Sequence, residues 1–579
     1  MTPQKPIIYQ LLPRLFTNYC DTPVVNGPIT RNGSGKLNSI NTKILKEIKD
    51  LGATHVWYTG VIEHSHDADY TAYGIPRDNP YVVKGHAGSP YAITDYYDID
   101  PDLAEDVPSR IAEFEALVDR THDAGLKVII DFVPNHVARQ YRSDAKPAGI
   151  EDLGQGDNTD MFFSPANNFY YITRQQFAPH VDLGHGHDAY VEFPAKASGN
   201  DCFNAFPSKN DWYDTVKLNY GVDPGNGTHH FDPVPPTWLK MLHILRYWAS
   251  KNIDGFRCDM VHMVPLEFWQ WAIPNVKSHY PDIKFIAEIY DVSLYRPFIA
   301  AGFDYLYDKV NLYDTLRGIE CDNVSAALLT SSWQTVDGLG GNMLNFLENH
   351  DEQRFASPFY AGDPNRVGAS LVVSSMISTG PMMIYMGQEL GEPGTDAEGY
   401  SGLDGRTTIF DYWSVASLRQ WLNGGKCNGV LPESVKKLRA FYRRVLRICN
   451  EEEAVRSGRF FDLMYVNYGN PGLNPHRHFA FLRSTAAETM VVVANFDDTE
   501  SEVSVNIPRH AFDVLDLPEG VDAKAMELLS GHSESKTFTS TEPFVTTVPA
   551  HSAVVWKIVR DRIRPIRRKV APRVKKSDK

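Results

Sequence analysis

Eight short apolar runs, separated by segments with helical spacing, constrain this chain more than any other feature. They fall at 7–12 (IIYQLL), 54–58 (THVWY), 126–132 (LKVIIDF), 253–259, 283–288, 303–307 (FDYLY), 343–347 and 381–385 (PMMIY). Between them, 107–124, 237–251, 266–279 and 364–378 carry apolar residues at the period of a one-sided helix. Strands alternating with helices specify parallel strands joined by helical crossovers, and eight such strands predict an α/β fold built on a closed (β/α)8 barrel.

The alternation stops from 137 to 235, a stretch rich in Gly, Pro, Asn, Asp and aromatics. A structureless loop of that length is improbable in a compact domain, so a small inserted domain after the third strand is expected at the barrel mouth. Beyond about 450 the pattern turns to FFDLMYVNY, RHFAFLR, TMVVVANF, SEVSVNI and SAVVWKI, which reads as an antiparallel β-sandwich. The expected organisation is a barrel over 1–136 and 236–450, an insert over 137–235, a C-terminal sandwich over 451–560 and a disordered basic tail over 561–579.

At 579 residues the chain exceeds one compact core, in agreement with that division. Its net charge of −15 argues against nucleic acid as a partner, while a neutral sugar remains compatible. The six cysteines form no CxxC pair and have no metal-ligand spacing, which fits a reducing compartment. No apolar run has the length of a leader or a membrane span, so the expectation is a cytoplasmic protein without a membrane partner. Nothing in the pattern sets an oligomeric state.

Three carboxylates stand where apolar runs end: Asp259 in Gly255-Phe256-Arg257-Cys258-Asp259, Glu288 after Phe285-Ile286-Ala287, and Asp351 closing Phe346-Leu347-Glu348-Asn349-His350-Asp351. Barrel enzymes hold their reacting groups at the C-terminal ends of the strands. Arg257 lies two residues before Asp259, hence on the same face of a strand, and is expected to keep that carboxylate ionised. The apolar approach to Glu288 favours a protonated carboxyl, and two carboxyls with separated roles are what retaining glycoside cleavage requires. A fourth strand end carries Asp131-Phe132-Val133-Pro134-Asn135-His136. Any one of these groups alone is as well explained by a packing ion pair or a core histidine; their order at successive strand ends is not.

In these motifs, at 131–136, 255–259, 287–288 and 346–351, the chain resembles the α-amylase family of retaining α-glucan enzymes, over roughly residues 7 to 560. Ile8-Tyr9-Gln10, Ser89-Pro90-Tyr91 and Tyr385-Met386-Gly387-Gln388-Glu389 add to the likeness. The resemblance implies that Asp259 is the nucleophile, Glu288 the general acid and then base, and Asp351 the ligand of the sugar hydroxyls beside the reacting carbon. It further implies that Tyr91 stacks on that sugar, that His136 and His350 donate hydrogen bonds to it, and that Asp131 and Asn135 support the site. The substrate expected is an α-1,4-glucan or malto-oligosaccharide, and a maltosyl- or glucanotransferase is the alternative within the family. Some relatives keep the barrel as a non-catalytic scaffold, but those carry a membrane anchor and lack triad residues.

Two departures bear on cofactors. Many family members have Lys-His at the third and fourth positions after the nucleophile, where this chain has His262 and Met263. That puts the usual roles of the pair, gripping the next sugar and lending a backbone oxygen to calcium, in doubt; His262 is expected to bind substrate, and with Pro265 and Phe268-Trp269-Gln270-Trp271 it resembles the maltosyl-transferring branch. Lys217, in Thr215-Val216-Lys217-Leu218-Asn219, stands where calcium-dependent members place an acid, and Lys36 replaces an Asp in the first barrel loop. An ammonium group cannot ligate a cation, so no metal and no other cofactor is expected.

Overall fold

The computed structural model describes residues 4–181 and 190–559; the basic tail read at 561–579 lies outside the described residues. All eight apolar runs form strands: β1 (Ile7–Leu11), β2 (His55–Tyr58), β3 (Lys127–Phe132), β4 (Gly255–Cys258), β5 (Lys284–Ala287), β6 (Tyr305–Tyr307), β7 (Met343–Phe346) and β8 (Met382–Tyr385). Each is parallel to its neighbours, and β8 pairs with β1 to close the barrel. The strands read as continuous apolar runs because helices cover the outside and side chains fill the inside.

Register carries the site. Arg257 on β4 lies opposite Asp131 on β3, and Cys258 lies opposite Ala287 on β5, so the residues that follow these strands emerge side by side at one rim. Cys258 is fully buried on the outward face, the packing role its position predicts. The helices 236–249 and 266–277 pack against each other, each entered through prolines that set the first turn.

Between β3 and helix 236–249 the chain leaves the barrel. His136–Ala138 pairs with Thr215–Lys217, and Tyr171–Ile172 with Ala195–Lys196, both antiparallel. Tyr170, Ile172, Phe177, Ala195, Ala197 and Ala205 form a separate apolar cluster there, joined by Val82 from the loop after β2. The segment thus has a core of its own, as an inserted domain requires.

The C-terminal part is an antiparallel six-stranded sheet, ordered 459–462, 478–484, 488–495, 552–559, 520–527 and 533–538, with a two-stranded sheet of 501–505 and 544–548. One continuous apolar core joins it to the barrel. The run FFDLMYVNY, read as one strand, breaks after Asp462. That side chain accepts the Met464 amide at 2.6 Å and also holds Thr330 and Trp333, so a local turn wins over the ladder.

Candidate active site

Arg257 is the hub of the barrel mouth. It is 1% exposed, and its Nη1 donates to Asp259 Oδ1 at 2.8 Å while Nη2 lies 2.8 Å from Glu288 Oε2. Nη1 is also 3.6 Å from Asp131 Oδ1, and Nε donates to the Tyr307 hydroxyl at 3.2 Å. The rings of Trp57, Tyr91 and Tyr307 surround the guanidinium at 5.3 to 5.5 Å. A buried cation needs such compensation, and here it is shared among three acids.

Asp259 and Glu288, 6% and 3% exposed, meet on that one cation. Burial and then the neighbouring Glu288 carboxylate push the Asp259 carboxyl well above the usual range, with Arg257 opposing. The expectation that Arg257 keeps Asp259 ionised is therefore corrected for the ligand-free protein: burial and the Glu288 carboxylate outweigh the guanidinium. Glu288 also accepts from the Met260 amide at 2.9 Å and from the Tyr290 hydroxyl at 2.5 Å. Met260 sits in the left-handed region at φ 42°, which turns the chain sharply after Asp259 and aims its amide at Glu288.

Asp351, with 42% of its side chain exposed, faces the opening. Burial would raise its pKa, but the charge and hydrogen bond of His350, with Arg257 and Arg406, hold it down at about 2. It is thus the carboxylate ready to accept hydrogen bonds from a substrate. His350 Nδ1 lies 2.7 Å from Gln10 Nε2, and its other ring nitrogen, Nε2, turns to the site. That nitrogen contacts Asp351 at 3.0 Å and the Tyr91 hydroxyl at 2.5 Å, and the Tyr91 and His350 rings stack at 5.3 Å.

Asp131 accepts from Trp57 Nε1 at 3.1 Å, the Gly60 amide at 3.2 Å and the Tyr91 hydroxyl at 3.4 Å, and so supports the site instead of facing it. Asn135 donates to the Gly199 carbonyl at 2.8 Å, which ties the insert to the rim. Burial, then Lys84 and Lys217, lower His136 to about 3, so it is a neutral imidazole. His262 stands off from the triad beside Tyr290, at 6.2 Å between rings. Lys217 Nζ lies 2.6 Å from Asp201 Oδ1 and 3.0 Å from the Met263 carbonyl, and donates to Asn135 Oδ1. Lys36 Nζ donates to the Asp102 carbonyl at 2.6 Å.

A cavity of about 300 Å³ gathers Asp259, Glu288, Asp351, Tyr91 and His136. Its wall also takes in Ser89, Thr215 and Met260, and the lining residues Lys84, Trp212, Tyr290, Ile409 and Phe410 were not anticipated. Only Tyr290 had a sequence signal, being two residues beyond Glu288; the others come from loops whose folding no periodicity reports.

Three acids and one arginine thus converge at the C-terminal rim of a closed (β/α)8 barrel, the end at which barrel enzymes hold their reacting groups. The family model for the α-amylase catalytic domain matches residues 10–176 and 235–416, more than half of the chain, and the chain belongs to that family. It is 22% identical over 451 residues to a cyclomaltodextrinase of Thermoanaerobacter pseudethanolicus, covering 76% of this chain and 63% of that protein. An α-1,4-glucan:maltose-1-phosphate maltosyltransferase of Cereibacter sphaeroides is 24% identical over 221 residues, 34% of this chain and 36% of that one. The chain thus spans less than two thirds of these relatives. Among solved structures, a noncanonic maltogenic α-amylase of Thermotoga neapolitana superposes with a TM-score of 0.62 at 19% identity, covering 96% of this chain and all of that one, a likeness of fold.

Proposed function

We propose that the protein is a retaining α-glycosidase acting on α-1,4-glucans or malto-oligosaccharides. The observation that carries this reading is the single guanidinium of Arg257 holding Asp259 and Glu288 side by side, each at 2.8 Å. In the first step Glu288 gives its proton to the glycosidic oxygen as the bond to C1 breaks, and an Asp259 oxygen forms a bond to C1 from the opposite face. In the second step Glu288 takes a proton from water, whose oxygen displaces Asp259, and the product keeps the α configuration. Asp351 and His350 hold the hydroxyls of the reacting sugar, contacts that strengthen as its ring flattens toward an oxocarbenium ion. A non-catalytic scaffold does not account for two buried acids meeting on one arginine in the wall of a cavity.

The test is a product profile on starch and on maltotriose, with the anomer followed by NMR. Release of shorter α-anomeric sugars supports hydrolysis. Products longer than maltotriose favour the maltosyl- or glucanotransferase alternative, for which the Cereibacter relative speaks.

The family's calcium does not fit these residues. The Lys217 ammonium takes three oxygens, from Asn135, Asp201 and the Met263 carbonyl, whereas Ca²⁺ takes about six to eight oxygens and repels a lysine. We read Lys217 as an internal substitute for the cation; in the first loop the Lys36 ammonium donates to one oxygen, the Asp102 carbonyl. A cytoplasmic location is proposed on the six unpaired cysteines; among the described residues no helix is long and apolar enough to cross a membrane.

A further inference from the structure

The cavity is built differently at its two ends, and the difference follows from the order of strands around the barrel. β1 stands diametrically opposite β5 in the closed ring. Glu288, which protonates the leaving group, follows β5, so the departing part of the chain lies over β4 and β5 beside Tyr290 and His262. That side is less enclosed: both residues are partly exposed, and a separate groove of about 430 Å³ lies beside His262. The other end lies over β8, β1 and β2.

There three loops are braced into a wall. Lys84, from the loop after β2, pairs with fully buried Asp214 of the insert at 2.9 Å. The Ala87 amide donates to the Phe410 carbonyl at 3.0 Å, joining the loops after β2 and β8. Gly85, at φ 61°, comes so close that a Cβ there would stand 2.2 Å from the same carbonyl oxygen. Arg14, buried at the end of β1, donates to the carbonyls of both Ala87 and Ile409, at 2.8 and 2.6 Å. Lys209 of the insert lies 4.3 Å over the Tyr400 ring of the β8 loop, which closes the third side. Lys84, Trp212 and Phe410 turn their side chains to the cavity from this wall. Trp212 is held in the left-handed region at φ 52° with its ring 5.1 Å from that of His136.

At about 300 Å³ the cavity lies at the lower end of the range for ligand pockets, roughly 300–1,000 Å³, which suits one or two sugars. In a glucan the residue on the non-reducing side of the reacting sugar is attached through the atom farthest from Glu288, and it runs toward the wall.

We propose that this wall makes the protein exo-acting: it receives the non-reducing end of an α-glucan in a blind pocket closed by Lys84, Trp212 and Phe410, and releases one or two sugars at a time. This rests on the reading of the site as an α-1,4-glucan hydrolase. The test compares 4-nitrophenyl α-maltoheptaoside with the same compound blocked at its non-reducing end by a 4,6-ethylidene group, following initial products by ion chromatography. The free substrate should yield only glucose or maltose with the complementary nitrophenyl oligosaccharide, and the blocked one should be cleaved more than about tenfold slower, as a steric exclusion predicts. Cleavage of both at similar rates, or early products of mixed length, would overturn the blind end while leaving the hydrolase reading intact. Cleavage of neither would overturn that reading, and the inference with it. Opening the wall with Phe410→Ala, in protein shown by circular dichroism to be folded, should raise the blocked-to-free rate ratio; an unchanged ratio in the folded variant would count against the wall.

Discussion

Asp259 illustrates how much a residue's neighbours decide. In sequence Arg257 marks Asp259 as an ionised carboxylate, yet burial and Glu288 outweigh it and raise the pKa. A carboxyl raised in the folded state binds protons that the unfolded chain has released, so stability falls as pH rises through the folded pKa. Asp259→Asn should therefore lower turnover by about 10⁴-fold or more while leaving the melting temperature at pH 7 equal to or above that of the wild type; a lower one would contradict the assignment. The same shift places the acid limb of the kcat/KM profile above the 3.8 of an ordinary aspartate, with activity lost as pH falls through it. Tyr290 donates to Glu288 at 2.5 Å, and a hydrogen bond to a charged partner is worth about 1.5 to 3 kcal/mol, so Tyr290→Phe should cost about tenfold or more in kcat. The loss should be smaller on aryl glycosides whose leaving group needs no proton, which separates positioning of Glu288 from general damage to the fold.

At the scale of elements, the barrel strands were legible because both their faces are buried and their composition is uniform. The four strand-end motifs were legible because parallel register brings successive strand ends to one rim, as the Arg257 to Asp131 pairing illustrates. The strands 520–527 and 533–538 escaped notice: the second reads Ser-Glu-Ser-Lys-Thr-Phe and is largely exposed, so it carries little apolar alternation. Lys84, Trp212 and Phe410 escaped for another reason. They reach the site through contacts between loops separated by up to hundreds of residues, and no local period encodes such contacts. The insert offers its own prediction. If the Lys217 ammonium takes the place of a cation, chelation followed by added calcium should leave the melting temperature unchanged, because a ligand stabilises only when it binds the folded state. A rise of several degrees would contradict it.

For the whole molecule, the barrel supplies the acids, the insert and the β8 loop shape the cavity, and the terminal sheet shares one apolar core with the barrel. That division lets a common rim of carboxylates work with a substrate range set elsewhere in the chain. The central claim is covalent catalysis at Asp259, and it is tested most directly by trapping the intermediate with a 5-fluoro α-glucosyl fluoride and mapping the adduct by peptide mass spectrometry. The account predicts a glycosyl adduct on the peptide containing Asp259, lost on incubation with maltose as acceptor. An adduct on another residue, or turnover of starch to β-anomeric products with no adduct, would contradict it.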